Sequence, residues 1–134
     1  RMGDETFCKG LQVFVLPNLY GDIVTDIAAE LQGGLGTASS ANIGSRYAMF
    51  EAIHGTAPGL VSEGRGEYAD PCSLIRAVGM LLAHIGYGEK SRQLSKALLQ
   101  CTVSERKKVV TTYTKDASAA EFTDYLLETL AHQA

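Results

Sequence analysis

Two carboxylates four residues apart, Asp22 and Asp26, stand in the stretch Asn18-Leu19-Tyr20-Gly21-Asp22-Ile23-Val24-Thr25-Asp26. An apolar run, Val13 to Leu16, enters it, and Pro17 ends that run as a strand because it has no N–H for a ladder. After Gly21 the apolar residues Ile23, Ile27 and Leu31 fall on one helical stripe, so strand, tight turn and helix are expected, with the helix opening near Asp22. On such a helix the two carboxylates share a face, one turn apart. Like charges so placed cost roughly 0.2–0.5 kcal/mol. Asp22 recovers that by capping the helix start, a gain of about 0.3–1 kcal/mol, whereas Asp26 lies too far in. A divalent cation bridging both groups would remove the cost, and a solvated acidic helix start would simply bear it. Spacing alone leaves both readings open.

The second group with chemical potential is His54-Gly55-Thr56-Ala57-Pro58-Gly59, a polar, glycine-bounded loop directly after Tyr47 to Ile53, a loosely alternating run expected as a short strand. Open α/β sheets place ligands at such loops, beyond the carboxyl ends of strands. His54 there can act as acid, base or ligand, or can simply hold the turn by hydrogen bonding. Between the two groups lies a small-residue segment, Gly33 to Gly44, with four glycines. It has neither the P-loop pattern nor the dinucleotide G-x-G-x-x-G spacing, so it is expected as a loop, able to approach a ligand but with no phosphate signature.

These groups need elements to hold them. Asp70-Pro71 opens a helix in which Leu74, Ile75, Val78, Leu81, Leu82 and Ile85 recur at helical spacing. Gly86-Tyr87-Gly88 ends it, and a further helix is expected from about Glu89 to Val103, with Leu94, Leu98, Leu99 and Val103 facing inward. Ser118-Ala119-Ala120-Glu121 has the form of a capping box before a last helix carrying Phe122, Tyr125, Leu126 and Leu130. His84 and His132 lie in helices, as surface or packing residues. The segment from Leu60 to Tyr68 is polar and glycine-punctuated, expected as a surface loop, and Lys107 to Thr114 as extended or irregular. Four helices and two strands do not make a self-sufficient sheet, so the strands are expected to complete one whose other members lie outside this chain.

The 134 residues allow one domain at most. A formal charge of −3, with no basic run longer than Arg106-Lys107-Lys108, excludes the electrostatic footprint of a nucleic-acid or anionic-membrane binder. No apolar run approaches the ~20 residues that span a bilayer, and no charged-then-apolar leader opens the chain. The three cysteines, Cys8, Cys72 and Cys101, form no C-x-x-C pair and indicate neither a disulfide framework nor a zinc site. Cys72 and Cys101 are expected as small buried apolar groups in a reducing compartment, the cytoplasm or, in a eukaryote, the mitochondrial matrix.

Five blocks in order carry more than their spacing: Asn18 to Asp26, Gly33-Gly34-Leu35-Gly36, Ser40-Ala41-Asn42-Ile43-Gly44, Phe50-Glu51-Ala52-Ile53-His54-Gly55-Thr56-Ala57-Pro58 and Ala69-Asp70-Pro71. Together they closely resemble the isocitrate and isopropylmalate dehydrogenase family, most strongly from Val13 to Tyr87. The resemblance implies the C-terminal part of a two-domain α/β fold, helix-rich with few strands in this segment. Residues 1–44 would end the metal and dimer region, and residues 45–134 would hold the cofactor loop and C-terminal helices. The opening Arg1-Met2-Gly3 also reads as a fragment's start.

Enzymes of this family oxidise a 2-hydroxy acid with NAD or NADP, then release a β-carboxylate as CO₂ with Mg²⁺ or Mn²⁺ stabilising the enolate. By resemblance, Asp22 and Asp26 are metal ligands, with a third carboxylate supplied upstream by a partner subunit. Glu51 and His54, Gly55, Thr56, Ala57 and Pro58 would lie against the nicotinamide cofactor, with Asp70 at the adenine, where the family commonly has Asn. The Tyr and Lys that transfer protons, and the arginines that hold substrate, match no position here, so no catalytic residue is expected in this segment. Members using NAD tend to carry Asp directly after the His-Gly-Thr-Ala-Pro run, and those using NADP tend to carry Lys then Tyr. Gly59 and Leu60 match neither. The missing carboxylate tilts the reading to NADP, with Arg65 as the nearest partner for a 2′-phosphate. Leu16-Pro17-Asn18-Leu19-Tyr20-Gly21 with Ala48 to Gly55 looks more like isocitrate than isopropylmalate dehydrogenase. The resemblance also implies a homodimer or higher homo-oligomer, for which Ala28 and Ala29 suit close helix packing.

Overall fold

A computed structural model describes residues 13–32, 38–111 and 116–133. The first element is a helix, α1, over Asn18–Gln32. It begins a full turn earlier than expected: Pro17, its N–H absent, still offers its carbonyl, which accepts the Gly21 N–H at 2.9 Å. Val13 to Leu16 form no strand. Their side chains are exposed, up to 91% at Val15, and no described segment lies alongside to complete a ladder.

The strand pair lies later. Strands β1, Ser39–Ile43, and β2, Ala48–Ala52, run antiparallel, with Ser40 opposite Glu51 and Asn42 opposite Met49. The turn between them is tied by the Gly44 N–H to the Tyr47 carbonyl at 2.9 Å. β2 falls within the expected run. β1 was expected as loop, because serine and alanine have little strand propensity of their own; pairing with β2 decides the matter. The other half of that segment, residues 33–37, lies outside the described residues.

Helix α3 (Cys72–His84), which follows a short helix α2 (Pro58–Ser62) and a 3₁₀ turn at Gly66–Tyr68, lies across both strands. Leu60 to Tyr68 is therefore not a plain loop. At the start of α3 an Asp70 carboxylate oxygen accepts the Cys72 N–H at 2.9 Å, while the Pro71 carbonyl accepts the Ile75 N–H, so Pro71 flanks the helix instead of opening it. Gly86, at φ 94°, ends α3 as expected, with the Tyr87 N–H reaching back to the Leu82 carbonyl at 2.8 Å. Helix α4 (Gly88–Leu99) then runs into a π-turn at Gln100–Glu105. The Ser118 capping box forms, and α5 spans Ala119–Ala131.

The core lies where α3, α4 and α5 meet, around Cys72, Ala97, Leu98, Cys101, Phe122, Tyr125 and Leu126, with Ile75, Leu94, Val110 and Leu130 packed against it. Both described cysteines are buried thiols, as expected. Leu99 and Val103, expected inside, are exposed, because the inward stripe is Leu94, Leu98 and Cys101, at the ordinary i, i+4, i+7 helical spacing. On α3 the stripe Leu74, Val78, Leu81 and Ile85 is largely exposed as well. The buried face of the helix is narrower than its apolar pattern: it buries Ala77 and Gly79 against its neighbours.

The π-turn ends in a polar clamp. The Glu105 carboxylate accepts from Lys107, the Tyr125 hydroxyl and the Gln100 amide, each at 2.6 Å. Lys107 foremost, then Tyr125 and Gln100, hold its pKa at about 2 against an ordinary 4.5. A depressed carboxylate contributes stability that is complete above its ordinary pKa and lost as pH falls towards the folded value. Unfolding midpoints measured from about pH 6 to about pH 2 are expected to decline below about 4.5 in the wild type and to decline less in Glu105→Gln. Ser118→Ala, which removes the cap of α5, is expected to cost about 1 kcal/mol in a denaturant melt.

Candidate functional site

On α1 the fifth and ninth residues are Asp22 and Asp26, both exposed and one turn apart. Asp22 does not cap the helix, which starts too early. Its carboxylate instead accepts the Asn18 side-chain amide at 3.1 Å, a bond that orients it. The Thr25 hydroxyl, between the two in sequence, donates to the Gly21 and Asp22 carbonyls and so turns away from the carboxylates. No hydrogen bond or ion pair engages Asp26 among the described residues. Two hard oxygen donors projecting side by side suit Mg²⁺ or Mn²⁺, which take oxygen ligands, but two carboxylates leave most of an octahedral shell to other groups. No cluster of three or more metal-ligating side chains occurs among the described residues.

The second group is built by the sheet. Glu51, on β2, accepts the Asn42 amide of β1 at 2.8 Å, a diagonal contact across the antiparallel pair that fixes the direction of its carboxylate. The sequence held no signal for Asn42 as a partner, because the contact needs the unforeseen strand. Beyond β2, the His54 Nδ1 lies 3.0 Å from the Gly55 carbonyl, and residues 54–59 are exposed. Ala57 takes a left-handed backbone, φ 44°, which bends the chain so that Pro58 opens α2. A Cβ added at Gly55 meets nothing within 4 Å, so the loop keeps open space beside its backbone. Thr56 and the exposed loop amides are free to face a ligand.

One Asp70 carboxylate oxygen, Oδ1, holds the α3 start. Burial, reinforced by Asp70, pushes the Cys72 thiol up, so that cysteine is no nucleophile. Arg65, the sequence's candidate for a 2′-phosphate, pairs with the Glu63 carboxylate, its Nε at 3.0 Å, and that charge is already answered. The His84 ring packs against Phe50 at 5.3 Å between centroids and His132 is exposed, as expected for packing and surface residues. Glu51, the His54 loop and Asp70 sit on one body with α3. Helix α1 makes no extensive contact with any other described element, so the chain by itself does not bring Asp22 and Asp26 against that loop.

The comparison with known proteins gives this arrangement its context. The model of the isocitrate/isopropylmalate dehydrogenase family matches residues 7–126. The chain belongs to that family. Similar relatives include the NADP isocitrate dehydrogenase of Rickettsia bellii, 43% identical over 106 residues, which is 79% of this chain and 21% of the relative. Another is a regulatory subunit of the mitochondrial NAD isocitrate dehydrogenase of Dictyostelium discoideum, 41% identical over 119 residues, 88% of this chain and 32% of the relative. Among solved structures, the isocitrate dehydrogenase of Methylococcus capsulatus superposes with a TM-score of 0.74 at 36% identity, covering 84% of this chain and 33% of that one. The chain spans a third or less of the length of these relatives. Its helix-rich α/β architecture with two strands is that of the matching part of the family fold. No described helix is long and apolar enough to cross a membrane.

Ala57 offers a direct check on the loop. A left-handed alanine costs about 1–2 kcal/mol, and glycine's extra chain entropy returns roughly 0.5–1. Ala57→Gly is therefore expected to raise stability by up to about 1 kcal/mol in thermal unfolding.

Proposed function

We propose that this chain is the C-terminal part of a metal-dependent NAD(P) dehydrogenase that oxidises and decarboxylates a 2-hydroxy acid, with isocitrate giving 2-oxoglutarate. The observation that carries the reading is the presentation of Asp22 and Asp26, exposed on one helix face, in a chain of this family whose His54 loop is also open. Asp22 and Asp26 hold Mg²⁺ or Mn²⁺, with Asn18 keeping Asp22 turned for it. When bound, the cation stabilises the negative charge that forms as CO₂ leaves. Glu51 is the polar contact towards the coenzyme, kept in place by Asn42. Residues 54–58 supply exposed backbone groups for the coenzyme, the left-handed Ala57 setting the loop's curvature. Asp70 closes the adenine end.

The groups that move the proton and clamp the substrate lie on another part of the family fold, so the 134-residue chain is inactive alone. NADP is favoured over NAD: Gly59 removes the carboxylate that would repel a 2′-phosphate. A homodimer or larger homo-oligomer brings the remaining carboxylate, and the exposed Ile23, Ile27 and Leu31 of α1 are the apolar face for such contact. A second reading, a non-catalytic subunit of the same fold, is favoured by the regulatory-subunit name of the Dictyostelium relative.

Assayed with isocitrate, Mn²⁺ and NADP, the isolated chain is expected to show no turnover; measurable turnover overturns the claim that essential groups lie elsewhere. In calorimetry, Mn²⁺ binding, weak with two carboxylates, is expected to fall by tenfold or more, roughly 1.4 kcal/mol, in Asp26→Asn. Equal binding by both proteins removes Asp26 as a ligand.

A further inference from the structure

A groove of about 420 Å³ runs between α3 and α4, with Ala38 and Ser39, at the start of β1, beside them. Ile75, Leu94 and the buried Leu98 give it an apolar floor, and no carboxylate lines it. Its one charged lining residue is Arg76, which forms no ion pair among the described residues. Gly79 follows on the same face of α3, one turn later. Facing it from α4, the Ser91 and Ser95 hydroxyls come within 4.0 and 3.9 Å of where a Cβ on Gly79 would stand, so both lie beside the gap that the glycine leaves. Among the described residues neither hydroxyl bonds a protein group, although comparable ones do: Thr102 and Thr129 each donate to the carbonyl four residues back, and Ser39 donates to the Met80 sulfur at 3.1 Å. Glycine inside a helix is unfavourable against alanine, and α4 does not require it here, since the added Cβ would meet nothing closer than 3.9 Å. The helix gives up stability and leaves open space next to two unengaged hydroxyls.

One unpaired guanidinium fork matches a single carboxylate, which it holds through two parallel N–H···O bonds. A phosphate dianion would call for more positive charge than one arginine supplies. The serine hydroxyls add neutral donors, and an aliphatic floor with no aromatic side chain in the lining suits a saturated chain better than a flat ring. We propose that the α3–α4 groove binds an aliphatic monocarboxylate, with Arg76 and the Ser91 and Ser95 hydroxyls holding the carboxylate and Ile75, Leu94 and Leu98 covering the chain. The groove shares no residue with the metal ligands or the coenzyme contacts proposed above, so the two readings fail separately.

The test is calorimetry on the 134-residue chain with octanoate, octanol and acetate. Octanoate is expected to bind roughly tenfold or more tightly than octanol, which lacks the charge, and than acetate, which lacks the chain, with affinity falling as salt rises. Arg76→Gln, and Ser91→Ala combined with Ser95→Ala, are each expected to weaken octanoate by roughly tenfold. Gly79→Ala separates binding from folding, because its two readouts move in opposite directions. The thermal midpoint rises with the better helix former, and octanoate binds more weakly because the methyl takes the space beside the hydroxyls. Octanoate binding no tighter than octanol or acetate overturns the proposal, as does undiminished binding in Arg76→Gln or Gly79→Ala shown folded by circular dichroism. Arg76 also lines the cavity beside the π-turn, which Arg106 lines as well, whereas Arg106 is absent from the groove. Arg106→Asn, suited to the left-handed backbone at that position, is therefore expected to leave octanoate binding unchanged, and a loss there places the ligand in the other cavity and overturns the proposal too.

Discussion

Everything described in the C-terminal two-thirds of the chain depends on α3 having two packed sides. One lies across the β1–β2 pair and the other meets α4 and α5. The inner positions are small: Ser73, Ala77 and Gly79 are all buried. Small residues let backbones approach closely, so the sheet and the helices draw together on either side of one helix. Larger groups from the neighbours, Leu98 and Phe122, then fill the volume, each almost fully buried. Ser73 also ties the helix to the Ala38 carbonyl beside β1, a polar bond inside an otherwise apolar contact.

Because α3 is fixed from both sides, its two ends become precise. The Asp70 bond holds the start, and the Gly86 turn holds the finish. The strand pair rests on the same helix, and Glu51 and the loop from His54 to Pro58 project from its edge. The candidate coenzyme contacts are thus mounted on the best-packed part of the described chain, while the candidate metal ligands ride on a helix that this part does not hold.

The α4–α5 junction shows a different economy. The π-turn at Gln100–Glu105 costs helix regularity, and its Val103 lies in solvent. Within it Cys101 is fully buried, its thiol donating to Thr129 at 3.4 Å, and Glu105 gathers three donors. Burial, with Glu105 beside it, pushes the Tyr125 pKa up and keeps its hydroxyl a donor.

Much of this was legible without coordinates. The helices after Asp70, Gly88 and Ser118 follow from caps, glycine stops and apolar period, which are local and need no partner. The carboxylate pair and the five blocks that mark the family are likewise matters of residue order, and the family match over residues 7–126 bears out the family they mark. Non-local choices were not legible. Whether Val13 to Leu16 or Ser39 to Ile43 makes the strand depends on which one finds a neighbour, and the less strand-like sequence found it in Ala48 to Ala52. The π-turn after α4 is announced by no local pattern, and the Asn42–Glu51 pairing depends on which groups the folded chain brings within reach. The sequence by itself determined the local elements and the family of this protein; the tertiary structure alone decided their pairing and which charges were left unanswered, because both are contacts between residues that only folding brings together.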